Sequence, residues 1–294
     1  MHAAAIGFLL ILIAAGSVRA EPVQVVDALG RTVVLVVPPQ RIVTIFSSNT
    51  ELVAALGLTE RIVGIDAFTR YPPEAAAKPV VGGRLGFSVE AIAAQNPDLV
   101  VLTPARQAVH QILDAMERIG VPTLVLTSRT MAEVLSNLRL LAQATGVPGR
   151  GKALAADLEA RLAVVQRRVT DRPCRRVVMV TGRLGNGLLL AARRDTYTGD
   201  AIIRAGGCFA LAGSGGVPQV SPEAVFSADP DVLLLAGRDE EVAELAQRPG
   251  FSEMRAVREG HVHAVPRAEF LIPGPRTVVG IERLAALLHP VGAP

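Results

Sequence analysis

One segment constrains the fold of this chain more than any other, residues 148–169, because it is typical of a single long amphipathic helix. Its larger apolar residues are Leu154, Leu158, Leu162, Val165 and Val169. They recur at intervals of three or four positions and therefore lie on one helical face. At about 1.5 Å per residue the helix reaches about 33 Å, close to the width of a small domain. Patterns of alternating strands and helices lie on both sides of it, so we expect a rigid connector between two lobes.

A short sequence repeat lies on either side of this segment. The first copy reads S-V-E-A-I from Ser88, then N-P-D and an apolar run; the second reads S-P-E-A-V from Ser221, then D-P-D and an apolar run. In each copy the serine can cap a short helix, the Pro-Asp pair ends it, and the apolar run has the length of a buried strand. Chance recurrence of a common βαβ pattern is the alternative.

The helix and the repeat together predict an α/β protein of two similar lobes, each with a central sheet flanked by helices. We place the N-terminal lobe at residues 21–147, the connecting helix at 148–169 and the C-terminal lobe at 170–294. Half of the 294 residues are apolar, which is enough to bury two substantial cores.

The N-terminal residues predict an export signal. Residues 3–15 form an apolar run too short to span a bilayer, and small residues stand at Val18 and Ala20, where a signal peptidase reads. We expect residues 1–20 to be removed and the mature protein to be periplasmic. A retained membrane anchor is the alternative, because His2 is the only basic group before the apolar run.

The composition and motifs argue against nucleic-acid binding and catalysis. The net charge is only +3, and no basic run is interleaved with aromatic residues. The sequence contains no G-x-S-x-G, Walker, H-x-x-x-H or C-x-x-C motif. His261 and His263 share one face of a predicted strand, but a metal site would need further ligands, so we interpret them as packing or solvated side chains. An α/β enzyme that uses the cleft is a distant alternative.

Cys174 and Cys208 are the only cysteines in the chain. In an oxidising compartment two thiols in one lobe can form a disulfide. Each also stands at the start of an apolar run, where a free buried cysteine is ordinary. Both interpretations stay open at this point.

Arginine residues recur just after the apolar strands. Ligands of open α/β sheets bind outside the carboxyl ends of the strands, and guanidinium groups bind carboxylates and phosphates and stack on flat rings. Any single arginine can be ordinary loop polarity, but the set predicts an electropositive cleft for an anionic ligand. The arginines that follow strands are Arg84, Arg106, Arg129, Arg183, Arg238 and Arg267. We place Arg84, Arg106, Arg183 and Arg238 on the ligand.

Ser48 and Asn49 follow the predicted strand 41–46 and open a helix. A helix N-terminus that follows a strand directs free N–H groups outward, where ligand oxygens can bind. Simple helix capping explains at least one of these side chains, and we include both among the candidate ligand-binding residues.

These features together resemble a periplasmic substrate-binding protein of the iron-siderophore, haem and cobalamin group of ABC importers, the class III proteins with a helical backbone. The resemblance extends from about residue 41 to residue 290. It is carried by Arg41-Ile-Val-Thr with Asn49-Thr-Glu-Leu, Val63-Gly-Ile65, Tyr71-Pro-Pro-Glu74, Val81-Gly-Gly83, both copies of the repeat, Gly199-Asp200 with Gly206-Gly207, and Gly274-Pro-Arg276.

The resemblance implies a ligand cleft between the lobes, little hinge movement, and delivery of the cargo unchanged to a dimeric permease in the inner membrane. In the family one glutamate on each lobe docks onto permease arginines, and the matching positions are Glu90 and Glu223. The protein would act as a monomer without a cofactor of its own.

The cargo implied by the resemblance is a small-molecule metal chelate. Haem binders use a tyrosine or histidine as axial ligand, and Tyr71 matches such a position; Tyr197 is the only other tyrosine, and the chain has no tryptophan. Cobalamin binders commonly line the cleft with Trp and Tyr. Scarce aromatics and frequent arginines favour an anionic iron chelate, a ferric siderophore or haem. Cobalamin or another corrinoid is the alternative.

Overall fold

The computed structural model describes residues 21–83, 86–103, 108–211, 219–248 and 250–290. In this part of the chain a two-stranded ribbon and two six-stranded sheets are flanked by helices, so the predicted two-lobed α/β fold is confirmed. The first lobe contains strands β1 (Val23–Val26), β2 (Thr32–Leu35), β3 (Ile42–Thr44), β4 (Ile62–Asp66), β5 (Val80–Gly83), β6 (Gly86–Phe87), β7 (Leu99–Leu102) and β8 (Thr123–Val125). Its helices are α1 (Ser47–Ala55), α2 (Pro73–Ala76), α3 (Val89–Ala93), α4 (Ala108–Arg118) and α5 (Met131–Ala144), with a 3₁₀ turn at Thr59–Arg61.

The first sheet has the strand order β6-β5-β4-β3-β7-β8. All of its pairings are parallel except that of β5 with β6. Every residue of β3, β7 and β8 is buried, as expected for central parallel strands that are covered by helices on both faces. The carboxyl ends of β3, β4 and β7 therefore lie at one edge of the sheet.

The connecting helix α6 spans Pro148–Val169, the bounds that the apolar periodicity predicts. Proline stands at its first position, where no backbone N–H is needed. The predicted apolar face is buried at Leu158, Leu162, Val165 and Val169. This face packs against α5 of the first lobe and against helices of the second lobe.

The second lobe contains strands β9 (Arg175–Arg183), β10 (Leu189–Ala191), β11 (Gly207–Phe209), β12 (Gln219–Val220), β13 (Val232–Ala236) and β14 (Val262–Val265). Its helices are α7 (Tyr197–Arg204), α8 (Pro222–Ala228), α9 (Asp239–Ala246), α10 (Arg255–Arg258), α11 (Arg267–Phe270) and α12 (Arg276–Leu288). The strand order is β12-β10-β9-β13-β14, and β11 also pairs with β9. Strands β9, β13 and β14 are parallel, so their carboxyl ends also share one edge.

The repeat of the first lobe ends in a clasp between an arginine and an aspartate. The carboxylate of Asp98 accepts hydrogen bonds from the backbone N–H groups of Gln40 and Arg41 at 2.7 and 2.8 Å. The guanidinium group of Arg41 donates to the carbonyl oxygens of Gln95 and Asn96, just after α3. The clasp fixes the end of α3 beside the start of β3.

The second lobe contains the same clasp. The carboxylate of Asp231 accepts a hydrogen bond from the backbone N–H of Arg176 at 2.8 Å. The Arg176 guanidinium donates to the carbonyl oxygens of Ala228 and Asp229 at the end of α8. Equivalent bonds in both lobes argue against a chance recurrence of the sequence pattern.

Cys174 and Cys208 form a disulfide that joins the residue before β9 to β11, with 5.8 Å between the two Cα atoms. The described residues include no helix that is long and apolar enough to cross a membrane. Residues 1–20, with the predicted export signal, lie outside the described ranges.

Candidate functional site

A cavity of about 410 Å³ lies between the lobes, where the carboxyl ends of the first sheet face the second lobe. The first lobe supplies the start of α1, the loop after β4 and the residue after β7. The second lobe supplies the start of α7 and the connection from α11 to α12. The residues that line it are Phe46, Ser47, Ser48, Phe68, Thr103, Tyr197, Arg267, Leu271, Ile272 and Pro273. We call this cavity the cleft; its mixture of phenyl rings, aliphatic side chains and few polar groups is typical of small-molecule sites.

A chain of buried hydroxyl groups positions the loop that carries Phe68. Thr44 contacts Thr50 at 2.7 Å between hydroxyl oxygens, and Thr50 contacts Thr69 at 3.3 Å. The Thr69 hydroxyl donates to the Asp66 carboxylate at 2.9 Å, and the same carboxylate accepts the Phe68 backbone N–H at 2.7 Å. A carboxylate only accepts, so the donors run in one direction and each hydroxyl is satisfied. The network holds the exposed Phe68 ring at the mouth of the cleft.

Two polar residues predicted at the start of α1 have different positions. Ser48 lines the cleft. Asn49 is fully buried, and its amide donates to the Ile45 carbonyl at 2.6 Å and to the Thr103 hydroxyl at 3.2 Å. Asn49 therefore positions the residue that follows β7 instead of facing the cleft.

The second lobe provides a phenol and a guanidinium group to the cleft wall. Burial raises the pKa of Tyr197 to about 12, against the opposing effects of a Thr198 hydrogen bond and the charge of Arg267. Tyr197 is therefore a neutral hydrogen-bond donor at physiological pH. The Arg267 guanidinium donates to the carbonyl oxygens of Thr181 and Ala236, which fixes the cation at the carboxyl ends of β9 and β13.

Tyr71 lies in a side pocket of about 250 Å³ that Glu51 and Arg276 also line. The guanidinium carbon of Arg276 is 4.1 Å from the centroid of the Tyr71 ring. Arg276 also donates to both carboxylate oxygens of Glu51, at 2.9 Å from Nε to Oε2 and by a shorter bond from the second nitrogen. Arg276 opens α12 of the second lobe, whereas Glu51 and Tyr71 belong to the first, so one cation joins the two lobes. None of these three side chains lines the cleft itself. Burial raises the pKa of Glu51, although the hydrogen bond and charge of Arg276 lower it.

The strand-end arginines divide into separate groups. Arg183 donates to the Glu244 carboxylate at 3.2 Å and to the Glu241 carbonyl at 3.1 Å, so it is bound to α9. Arg238 is exposed, and its backbone N–H donates to Glu241 at the start of α9. Neither lines the cleft. Arg84 and Arg106 lie outside the described residues.

Glu90 and Glu223 occupy equivalent places in the two lobes. Each is exposed in the first turn of a short helix, α3 or α8, that Ser88 or Ser221 caps. The pKa of Glu90 is lowered by its own backbone N–H and then by the Ser88 hydroxyl. For Glu223 the Ser221 hydroxyl lowers the pKa most, followed by its own backbone N–H. Both carboxylates are therefore exposed anions at neutral pH.

Sequence reasoning missed most of the apolar cleft lining. Phe46 ends the first strand run with φ of 76°, in the left-handed region, and its ring lies 5.8 Å from that of Phe87. A non-glycine residue at positive φ is uncommon, but no sequence signal marks it. Ile272 precedes the Gly274-Pro-Arg276 motif, which does identify this connection. The described residues contain no group of three His, Cys, Asp or Glu side chains that could hold a metal ion.

The chain matches the family described as periplasmic binding protein over residues 42–268 and belongs to it. It is a substrate-binding protein of ABC importers, from the group that serves siderophores, haem and vitamin B12. Substrate-binding proteins of this kind work outside the cytoplasm, where they deliver small-molecule ligands to a permease in the membrane.

Three similar proteins illustrate the range of this group. The periplasmic haem-binding protein RhuT of Roseiflexus sp. RS-1, in apo form, is 32% identical with a TM-score of 0.75, over 85% of this chain and 98% of that one. A periplasmic haem-binding protein of Pseudomonas aeruginosa is 30% identical with a TM-score of 0.76, over 87% and 95%. A cobalamin-binding protein of Halobacterium salinarum is 29% identical over 91% of this chain and 74% of its own length.

Proposed function

We propose that this protein captures an anionic iron chelate, with haem the favoured cargo, in the cleft and delivers it unchanged to its permease. The observation that carries the proposal is the chemistry of the cleft and the side pocket together. A ring-lined apolar wall suits a flat macrocycle, a fixed guanidinium suits its carboxylates, and a half-exposed phenol suits a ferric ion. The two haem-binding relatives support this choice over a ferric siderophore.

Each described residue has a separate role in this proposal. Phe46, Phe68 and Ile272 pack against the macrocycle, and Arg267 binds a propionate as a charge-assisted pair. Tyr71 is the axial ligand of the iron, and Arg276 holds its ring in place. Tyr197 donates a hydrogen bond to a cargo oxygen.

The remaining parts of the proposal concern the partner and the location. Residues 1–20 are removed on export and the mature chain works in the periplasm as a monomer. Glu90 and Glu223 dock onto cationic groups of the two permease subunits, because like lobes present like carboxylates to a two-fold partner. Arg84 and Arg106 also bind anionic groups of the cargo, a role that rests on their positions after strands in the sequence.

Titration of the purified chain with haemin tests the cargo. We expect a visible spectrum with the charge-transfer band of a phenolate-ligated ferric haem, and we expect Tyr71→Phe to lose that band while the chain stays folded. Tyr197→Phe is the matched control, because it removes the other phenol and should retain the band. Haemin binding with an unchanged spectrum in Tyr71→Phe would contradict the axial role.

Cobalamin is the second candidate, favoured by the cobalamin-binding relative. Parallel titrations with cyanocobalamin and a ferric hydroxamate distinguish the cargoes. Tight binding of cyanocobalamin without binding of haemin would replace haem by a corrinoid in the same cleft.

A further inference from the structure

A second pocket lies in the second lobe at the opposite edge of the sheet from the cleft. It has a volume of about 250 Å³ and is formed by the connection from α6 to β9, the start of β14 and the end of α12. Strands β9, β13 and β14 are parallel and begin here, whereas the cleft lies beyond their carboxyl ends. We call this cavity the histidine pocket, after His261, His263 and His289, which line it with Arg172 and Arg175.

The histidine pocket has a cationic lining. It contains two arginines and three of the five histidines of the chain, and the described residues that line it include no aspartate or glutamate. Two carboxylates lie near the pocket without lining it. Asp231 contacts the Arg255 guanidinium at 2.8 Å, and Glu259 lies 3.8 Å from Arg255 and 3.5 Å from His261 Nδ1. The lining itself, with two guanidinium groups and no carboxylate, has an excess of positive charge.

Two nitrogen atoms in the histidine pocket have no hydrogen-bond partner among the described residues. They are Nε of Arg175 and Nδ1 of His261, and both atoms are buried. His261 Nδ1 lies 3.5 Å from the Glu259 carboxylate, which is an ion-pair contact when the imidazole is protonated, but it forms no hydrogen bond with it. The guanidinium nitrogen of arginine is always a donor, and leaving a buried donor unsatisfied is costly. An acceptor with negative charge would satisfy Arg175 Nε, and it would satisfy His261 Nδ1 when that nitrogen carries a proton.

The backbone around these two nitrogen atoms is held firmly. Arg175 is in β9, next to the Cys174–Cys208 disulfide, and its carbonyl oxygen lies 3.5 Å from the Cys208 sulfur. His289 is buried, and its Nε2 lies 3.2 Å from the Gly206 carbonyl. The lining is therefore organised before any ligand binds, which lowers the entropic cost of binding.

We propose that the histidine pocket binds a small oxyanion of the phosphate or carboxylate class, held by Arg175 and Arg172 with the imidazoles of His261 and His263. The volume suits a small anion and is too small for a macrocycle. The two guanidinium groups exclude a divalent cation by repulsion. The site is independent of the proposed cargo and of the cleft.

Binding at this pocket should be coupled to protons. The pKa of His263 is lowered by burial and, secondly, by the charge of His261. A bound anion stabilises the protonated imidazole and raises its pKa, so His263 takes up a proton on binding, and affinity rises as the pH falls through the pKa of the bound form. The charged and titratable groups that face the imidazoles from neighbouring elements are Arg172, Arg175, Asp231, Arg255, Glu259 and His289.

Titration of the full chain with sodium phosphate, followed through the histidine proton resonances by NMR, tests the proposal. We expect saturable shifts at His261 and His263, tighter binding at mildly acidic pH, and no shift at His110 in α4. Arg175→Gln should weaken binding by about tenfold or more, since it removes a charged donor. Arg118→Gln, an exposed arginine of α4, is the matched control and should bind like the wild type.

The same titration with sodium acetate identifies the charge of the oxyanion. Preference for phosphate supports a dianion, and equal binding supports a carboxylate. Absence of a saturable shift with both salts, or wild-type affinity in Arg175→Gln, overturns the proposal. If Arg175→Gln does not fold, His263→Gln replaces it and should lose the pH dependence of phosphate binding. The affinity of the same variants for haemin should be unchanged. A negative result for the histidine pocket is therefore distinct from a failure of haemin to bind in the cleft.

Discussion

Replacement of Arg276 by methionine tests the bond between the lobes. The Glu51 side chain is 2% exposed and receives two hydrogen bonds from Arg276. Removal of one partner of a buried ion pair leaves an uncompensated charge and costs about 3–5 kcal/mol. Loss of the guanidinium from the Tyr71 ring adds about 0.5–1 kcal/mol. We therefore expect Arg276→Met to lose at least about 3 kcal/mol of unfolding free energy at neutral pH.

This loss should depend on pH in a defined direction. Burial already raises the pKa of Glu51, and Arg276 supplies the opposing effects, so its removal raises the pKa further. A carboxyl group whose folded pKa is raised binds more protons in the folded state, and unfolding free energy falls as the pH rises from the ordinary glutamate value through the folded one. The deficit of Arg276→Met should therefore be largest at neutral pH and shrink on acidification.

Urea denaturation followed by circular dichroism, at neutral and mildly acidic pH, measures both quantities. Glu51→Gln combined with Arg276→Met removes the stranded charge and should recover most of the loss at neutral pH. Arg161→Met is the matched control: Arg161 also binds a glutamate through two hydrogen bonds, but the side chains of Arg161 and Glu282 are 36% and 35% exposed. Its cost should be below about 1 kcal/mol. A loss of that size in Arg276→Met, or one independent of pH, would refute the reasoning.

Two further predictions concern docking and the disulfide. Reversal of Glu90 and Glu223 to lysine should abolish uptake in cells while cargo affinity, measured by titration, stays unchanged; reduced affinity would count against the docking role. Replacement of Cys174 and Cys208 by serine removes a disulfide that joins residues 34 positions apart. By the loop-entropy relation, it should lower the unfolding free energy by about 3–4 kcal/mol. Thermal unfolding with and without reductant measures this cost, and two alkylatable thiols in the exported protein would contradict the bond itself.

The sequence predicts the connecting helix well, because apolar residues that recur every three or four positions over 22 residues fit few structures other than a helix. The repeat predicts the like lobes for a related reason, since Ser88 and Ser221 form local caps whose partners lie three residues away. The clasps of Arg41 and Arg176 were not predicted, because each joins residues more than 50 positions apart.

The cleft was harder to predict than the fold. The rule that ligands bind outside the carboxyl ends of strands predicts the edge of the sheet at which an arginine lies. It does not predict the direction in which the side chain points. Arg183 is the last residue of β9, at the predicted end of the strand, yet its guanidinium group binds acceptors of α9 and does not line the cleft. The bond of Glu51 with Arg276 spans 225 residues, and no local pattern could pair them.

The apolar core of this protein does not stop at the boundary between the lobes. A single cluster includes Ile42 and Leu99 of the first sheet, Leu158 of α6, and Val177 and Leu234 of the second. We expect the two lobes to unfold together, because both pack against the buried side chains of α6. Thermal unfolding should therefore show a single transition, and a protease should cleave both lobes at similar rates. A substitution that stabilises either lobe should raise the unfolding free energy of the whole molecule.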